Sequence, residues 1–261
     1  QRQALEAYLH GLDKLDLLQD HATPDTLSLQ SLVDLLPRCL PRAYSIASHP
    51  GEDGSVELCV REVRYTLRGR ERRGTASGWL LHGNGSVHDT MDGAVDEAVD
   101  DSVRVYCRSN PACHLPDDPE APVVLIGTGT GIAPLVGLLC EMQATGQRRE
   151  ACLVFGDRHR ASDFLYEEQL TCWQDSGMLG TLATAFSRDG QNKYYVQHAI
   201  ADHATQIRSL LAQGAHVYVC GNRQHLEASV REAINQLLPV PDAGDGWALL
   251  QEQGRLHREL Y

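Results

Sequence analysis

Apolar positions along this chain fall into two regimes. Beyond residue 121, short unbroken apolar runs alternate with longer amphipathic stretches. The runs at 123–126, 151–155, 180–185 and 216–220 contain no Lys, Arg, Asp or Glu. That is the pattern of strands covered on both faces of a parallel sheet. Helical periodicity between and after them predicts helices over 132–144, 163–174, 195–212 and 224–237, the third open to a break. Short connections between strands and helices complete the expectation of a parallel α/β domain. Before residue 121 the pattern is weaker. AYLHGLDKLDLL (7–18) and LSLQSLVDLL (27–36), the second following Pro24, have a helical rhythm. RAYSIAS (42–48), VELCVREVRYTL (56–67) and VRVYCRSN (103–110) alternate as strands do. The basic run RGRERR around Gly69 predicts a turn with solvated charges. RGTAS (73–77) then opens a short helix, GWLLHG.

Composition narrows the function classes. With 261 residues, the chain is long enough for one large or two modest domains. A net charge of −12 without a basic stripe argues against nucleic acid as a partner. No apolar run reaches membrane-spanning length and no signal-peptide pattern is present. Eight cysteines occur without a C-x-x-C pair, several within apolar runs, so reduced thiols and a cytoplasmic chain are expected. The histidines lack metal-ligand spacing, and no metal site is expected. Residues 82–101 hold six acidic side chains and no Lys or Arg, the mark of a surface-loop insertion.

The stretch richest in chemistry is PVVLIGTGTGIAP (122–134). A buried strand runs into three alternating glycines, Gly127, Gly129 and Gly131, with Pro134 in the first turn of the next helix. Glycines allow a sharp turn and close backbone approach, and free N–H groups at a helix start favour phosphate. Gly-x-Gly-x-Gly differs from the Gly-x-Gly-x-x-Gly of the dinucleotide fold, and a glycine-rich turn without a ligand is the alternative.

GTGIAP after an apolar strand resembles the nucleotide-binding domain of the ferredoxin–NADP reductase superfamily. Further stretches match the same superfamily in order, and the nearest resemblance is to the diflavin reductases, the sulfite reductase flavoprotein and the NADPH–cytochrome reductases among them. The resemblance implies a partial antiparallel FAD-binding β-barrel joined to an α/β parallel-sheet NADP-binding domain, with an N-terminal helical segment. The domains expected are 1–40, the end of a connecting domain; 41–120, the barrel; and 121–261, the NADP(H) domain. Nothing strand-like precedes residue 42, so the barrel is expected to be incomplete and the chain, which begins at Gln1, to be a piece of a longer reductase.

The same resemblance implies the sites. For FAD they are Arg42 at the pyrophosphate, Tyr44 on the isoalloxazine and Ser45 near the reactive nitrogen. Tyr65 lies at the adenine, and Gly74, Thr75, Ala76 and Ser77 at the pyrophosphate. For NADP they are Gly127, Thr128, Gly129, Thr130 and Gly131, then Arg158, then Ser187, Arg188, Lys193, Tyr195 and Gln197 around the 2′-phosphate. A planar guanidinium, a point-charge ammonium and hydroxyls suit a near-dianion, whereas NAD selection would ask for a carboxylate. Ser45, Cys220, Glu259 and Tyr261 would line the hydride path, Tyr261 also covering the flavin face. Glu259 stands where the family usually has Asp, and CHLP (113–116) where Phe-Arg-Leu-Pro is common. The implied function is an NADPH-dependent flavoprotein reductase module, with FAD and NADPH as cofactors. Its electrons would pass to an FMN-binding flavodoxin-like domain or protein and a haem or metal acceptor. A non-catalytic remnant that binds nucleotide or a partner is the alternative.

Overall fold

The computed structural model describes residues 5–6, 8–9, 11–23, 28–36, 38–83, 103–238 and 245–261. The acidic stretch at 82–101 lies outside them apart from its first two residues. Two compact units emerge: residues 1–43 with 60–104, and residues 44–59 with 105–261.

In the first unit, helices α1 (Lys14–His21) and α2 (Leu29–Leu35) precede a hairpin of β1 (Arg64–Leu67) and β2 (Arg70–Arg73), followed by α3 (Thr75–His82). The helix expected over 7–18 is broken: residues 8–9 are helical, the chain turns at Gly11, and α1 starts after Asp13, which caps it by accepting from Asp16 N at 2.7 Å. The RGRERR run is corrected: only Arg68 and Gly69 form the turn, both with positive φ as a two-residue hairpin loop requires. The arginines are ion-paired. Arg72 meets Asp13 at 2.7 Å, Arg68 meets Asp20 at 2.7 Å, and the Arg70 guanidinium closes on Asp16, which is fully buried. Asp13, Asp16 and Asp20 recur at helical spacing, so α1 presents one acidic stripe to alternate arginines of the hairpin.

The second unit is built on a five-stranded parallel sheet in the order β5-β4-β3-β6-β7. Its strands are β3 (Val123–Thr128), β4 (Ala151–Asp157), β5 (Thr181–Phe186), β6 (His216–Gly221) and β7 (Leu256–Leu260). Four coincide with the unbroken apolar runs. The fifth was not expected: LHREL is too polar to read as a buried strand, and β7 forms because it pairs with β6 at the sheet edge. Helix α4 (Ile132–Thr145), short α5 (Arg160–Asp163) and α6 (Glu167–Asp175) follow β3 and β4. Helices α7 (Val196–Asp202), α8 (Ala204–Ala212), α9 (Arg223–Leu237) and α10 (Gly246–Glu252) follow in order. The helix expected over 163–174 is thus split, and that over 195–212 breaks at His203. Alternate residues of β3 feed two cores. Val123 and Leu125 pack with α4 and α6, and Val124 and Ile126 with α7 to α10.

Of three strands expected before residue 121, that over 56–67 forms only at its end, as β1, and the other two are corrected. Among the described residues, 42–48 and 56–63 contribute only an isolated bridge, Ile46 with Leu58, and 103–110 is irregular. These segments alternate in sequence but do not extend into longer ladders, so the antiparallel, FAD-side part of the expected fold is carried among the described residues by the two-stranded sheet of β1 and β2, beside the parallel α/β sheet.

At the β6–β7 seam, His216 Nδ1 lies 2.9 Å from His257 Nε2, and His257 stacks on Tyr218 at 4.4 Å between ring centroids. Burial, and then the neighbouring His216, push the His257 pKa down to about 4 from the usual value near 6.5. The unfolded chain therefore binds the proton more readily between those values, and stability is full above pH 6.5 and lost as pH falls toward 4. His257→Phe, which keeps the stack and removes the titration, should flatten the fall in Tm across that window. Parallel Tm-against-pH curves for the two proteins would show that His257 plays no part in it.

Candidate functional site

In open α/β sheets, ligands sit beyond the carboxyl ends of the strands where the strand order reverses. Here that point lies between β3 and β6, and the glycine turn Gly129–Gly131 occupies it. Two glycines there are dictated by geometry. Gly129 has φ +55°, and a Cβ on Gly131 would lie 2.4 Å from the Cys220 carbonyl oxygen. The turn therefore presses directly on the end of β6. Gly127 is buried at the end of β3, and Thr128 and Thr130 are half-buried.

The residues expected at a phosphate lie on the segments that follow β4 and β5. Strands β4 and β5 end together: Ser187 N donates to Asp157 O and Arg188 N to Arg158 O, each at 2.9 Å. This backbone pairing brings Arg158 and Arg188 side by side at the sheet's carboxyl edge. Arg158, Arg188 and Lys193 are exposed and have no carboxylate partner among the described residues. The nearby Asp189 is occupied by His159 at 3.1 Å and by the Arg160 backbone at 2.8 Å. Ser187 Oγ leans on Asp157 O at 3.3 Å. Tyr195 precedes α7, its ring half-exposed and stacked on His198, and Gln197 lies in the first turn of that helix. Exposed guanidinium, ammonium and hydroxyl groups on these two segments are the donor types that suit a phosphate.

Three residues from distant stretches meet behind the glycine turn. Gly137 of α4 leaves room for the Ile46 backbone, since a Cβ there would lie 2.7 Å from Ile46 O. That close approach sets Ser45, whose hydroxyl donates to Glu259 Oε1. Register pairs Glu259 on β7 with Cys220 on β6. Cys220 is 2% exposed, and its thiol is pushed well above an ordinary thiol, first by a hydrogen bond to Cys113 and then by burial. It is held as a neutral thiol. The last residue is anchored: Tyr261 N donates to Gly221 O at 3.1 Å and Arg223 N to Tyr261 O at 3.0 Å. Its hydroxyl lies 2.9 Å from Thr130 Oγ1, and the side chain is exposed.

Sequence reasoning missed two members of this group. Asn110 Nδ2 donates to Glu259 Oε2 at 2.8 Å, and Cys113 meets Cys220. The one signal was the replacement of an aromatic at 113 by a small thiol. Their segment is tied to the sheet by Tyr218 OH, which donates to His114 O at 2.5 Å, and by buried Arg149, which donates to Pro116 O at 3.2 Å.

The remaining expected FAD residues divide between the units. Tyr44 is half-buried in the second unit. Arg42, Tyr65 and residues 74–77 belong to the first. There the Ser77 hydroxyl is already engaged, accepting from Val63 N at 3.0 Å, and Gly74 N donates to Val63 O at 2.7 Å. The free donors at that helix start are the first-turn N–H groups of Thr75 and Ala76. Tyr65 is exposed on β1, and Arg42 Nη1 reaches only Leu40 O at 3.1 Å.

The fold and the switch-point site define a nucleotide-binding oxidoreductase domain, and residues 125–232 match the oxidoreductase NAD-binding domain family. The chain is 34% identical over 264 residues to the sulfite reductase (NADPH) flavoprotein alpha-component of Bacillus subtilis (strain 168), covering 98% of this chain and 41% of that protein. It is 35% identical over 250 residues to NADPH oxidoreductase A of Dictyostelium discoideum, covering 91% and 37%. Against the corresponding alpha-component of Vibrio cholerae serotype O1 it is 35% identical over 259 residues, covering 99% and 38%. The chain belongs to the ferredoxin–NADP reductase-like diflavin reductase family. It spans about two-fifths of the length of the curated relatives it matches. Among the described residues no helix is long and apolar enough to cross a membrane, and no cluster of three potential metal ligands occurs.

Proposed function

We propose that this chain is the FAD- and NADPH-binding part of an NADPH-dependent flavoprotein reductase. The observation that carries the reading is the meeting of Ser45, Cys220 and Glu259 behind the glycine turn. A remnant that only bound nucleotide would have no use for a carboxylate, a neutral thiol and a hydroxyl at that point. When bound, NADPH supplies a hydride and FAD accepts it. The chain's own part is to orient and to compensate charge. Arg158, Arg188, Lys193, Ser187 and Tyr195 hold the 2′-phosphate, Gln197 stands beside them, and residues 127–131 bring backbone close to the diphosphate. Glu259 places a negative charge where positive charge develops during hydride loss, and Cys220 fills the wall as an uncharged group. Tyr261, exposed at the mouth of the site, would cover the flavin and would have to yield its place to nicotinamide. Arg42, Tyr44, Tyr65, Gly74, Thr75, Ala76 and Ser77 serve FAD.

Electrons then leave singly to an FMN-binding flavodoxin-like domain or protein and onward to a haem or metal acceptor. Domain boundaries of 1–40, 41–120 and 121–261 accompany this reading, as does a cytoplasmic location.

Coenzyme choice is the test. A charge-assisted hydrogen bond is worth roughly 1.5–3 kcal/mol, so Arg188→Ala should weaken NADPH binding about ten- to a hundredfold. NADH, without the 2′-phosphate, should bind as before. Flavin-loaded protein followed by stopped-flow absorbance reads both. Equal losses for the two coenzymes would make Arg188 structural, and protein that neither retains FAD nor is reduced by NADPH would favour the remnant.

A further inference from the structure

We infer that Asn110 is a positioning residue for the hydride site, holding the Glu259 carboxylate on the side opposite Ser45. This rests on the reductase reading above. The two oxygens of Glu259 are claimed by different elements, Oε1 by the Ser45 hydroxyl and Oε2 by Asn110 Nδ2 at 2.8 Å. The orientation of the Asn110 amide is fixed by its own loop. Its Oδ1 accepts from Ala112 N at 3.2 Å, and an N–H must face an oxygen, so the amide nitrogen is left for the carboxylate. Cys113 N donates to Asn110 O at 2.9 Å, closing the turn, and the His114 carbonyl is tied to Tyr218. A glutamate has one more rotatable bond than an aspartate. A single hydroxyl leaves it free to swing about that contact, whereas two donors on two oxygens define its plane. The longer carboxylate arm of this chain is thereby compensated by a donor on a segment 149 residues away in sequence.

Among the described residues, the groups at Glu259 are Ser45 from the loop on α4, Asn110 from the segment before β3, and Cys220 from β6, itself bonded to Cys113. Two residues back along β7, His257 is neutral above about pH 4. Arg258 is turned to Glu227 at 2.9 Å. Between pH 5.5 and 8, Cys220 stays a thiol and Glu259 has no basic side-chain partner among the described residues.

Asn110→Asp separates positioning from a structural role. The variant keeps the oxygen that accepts from Ala112 N, and so keeps the turn, but sets a carboxylate against Glu259. Two carboxylates in contact cannot both ionise without cost, and protonation of the new one restores a donor. At pH 8 the limiting rate of flavin reduction by NADPH should fall about tenfold in Asn110→Ala and further in Asn110→Asp, with the affinity for NADP unchanged in both. Lowering the pH to 5.5 should recover much of the rate in Asn110→Asp and none in Asn110→Ala. A second readout needs no bound coenzyme: the Tm deficit of Asn110→Asp against the parent should shrink over the same interval. A Tm deficit independent of pH would show that residue 110 does not face Glu259, and would overturn the inference. A shrinking deficit with unchanged limiting rates would also overturn it, by making the contact structural alone. Absence of flavin reduction in the parent protein would count against the reductase reading itself, with the Tm result still reporting on the contact.

Discussion

Glu259→Gln is expected to slow flavin reduction by NADPH roughly a hundredfold, the usual scale for removing one preorganised electrostatic group from a reacting centre. The substitution is isosteric, so β7, its pairing with β6 and the buried Cys220 should be undisturbed. What disappears is the fixed negative charge. Cys220 cannot replace it, because the Cys113 hydrogen bond and burial keep that thiol protonated. Nor can Ser45, a neutral donor. Binding should change little, since the residues proposed to hold the 2′-phosphate, after β4 and β5, are untouched. Stopped-flow reduction over a range of NADPH concentrations separates the two quantities. A limiting rate within about twofold of the parent would remove Glu259 from the hydride path. A raised half-saturating concentration with an unchanged limit would reassign it to binding.

Asp16→Ala should cost the first unit about 3 kcal/mol of stability. Removing one member of a buried ion pair costs roughly 3–5 kcal/mol because the other is left uncompensated. The lower end applies, since the arginine partners reach solvent: Arg70 is 35% and Arg68 43% exposed by side chain. Asp16 also returns the cap of α1, its Oδ2 accepting from Asp13 N at 3.0 Å. Urea unfolding followed by far-ultraviolet circular dichroism reads the change, with allowance for two transitions in a two-unit chain. Arg70→Ala in the same chain should recover part of the loss, because the stranded charge goes with it. An unchanged midpoint would mean that Arg70, Arg68 and Arg72 are satisfied by water and that the acidic stripe of α1 is incidental.

The nucleotide-binding half was legible in the sequence because its information is local. A strand buried on both faces must be apolar at consecutive positions, and a helix crossing such a sheet must be amphipathic, so 123–126, 151–155 and 216–220 announced themselves. The residues proposed for the phosphate were just as easily named, since Ser187, Arg188, Lys193 and Tyr195 occupy one loop. Alternation misled where no sheet partner stood beside the segment, as at 42–48 and 103–110. Charge misled at RGRERR, where a run that normally belongs to solvent is matched by carboxylates on α1. Polarity hid β7, whose residues are only half-buried at the sheet edge.

By itself the sequence determined the parallel sheet, the glycine turn at its switch point and the exposed cations proposed to hold a phosphate. Each depends on residues close together along the chain, or on a periodicity that one element imposes on itself. Only the tertiary structure decided what surrounds Cys220. Ser45 and Asn110 stand 214 and 149 residues from the carboxylate they share. What brings them to it is the register of an edge strand, a missing Cβ at Gly137 and a turn tied to Tyr218. Side chains converge there because the backbone leaves them one common volume, and no pattern in a single stretch of sequence records that volume.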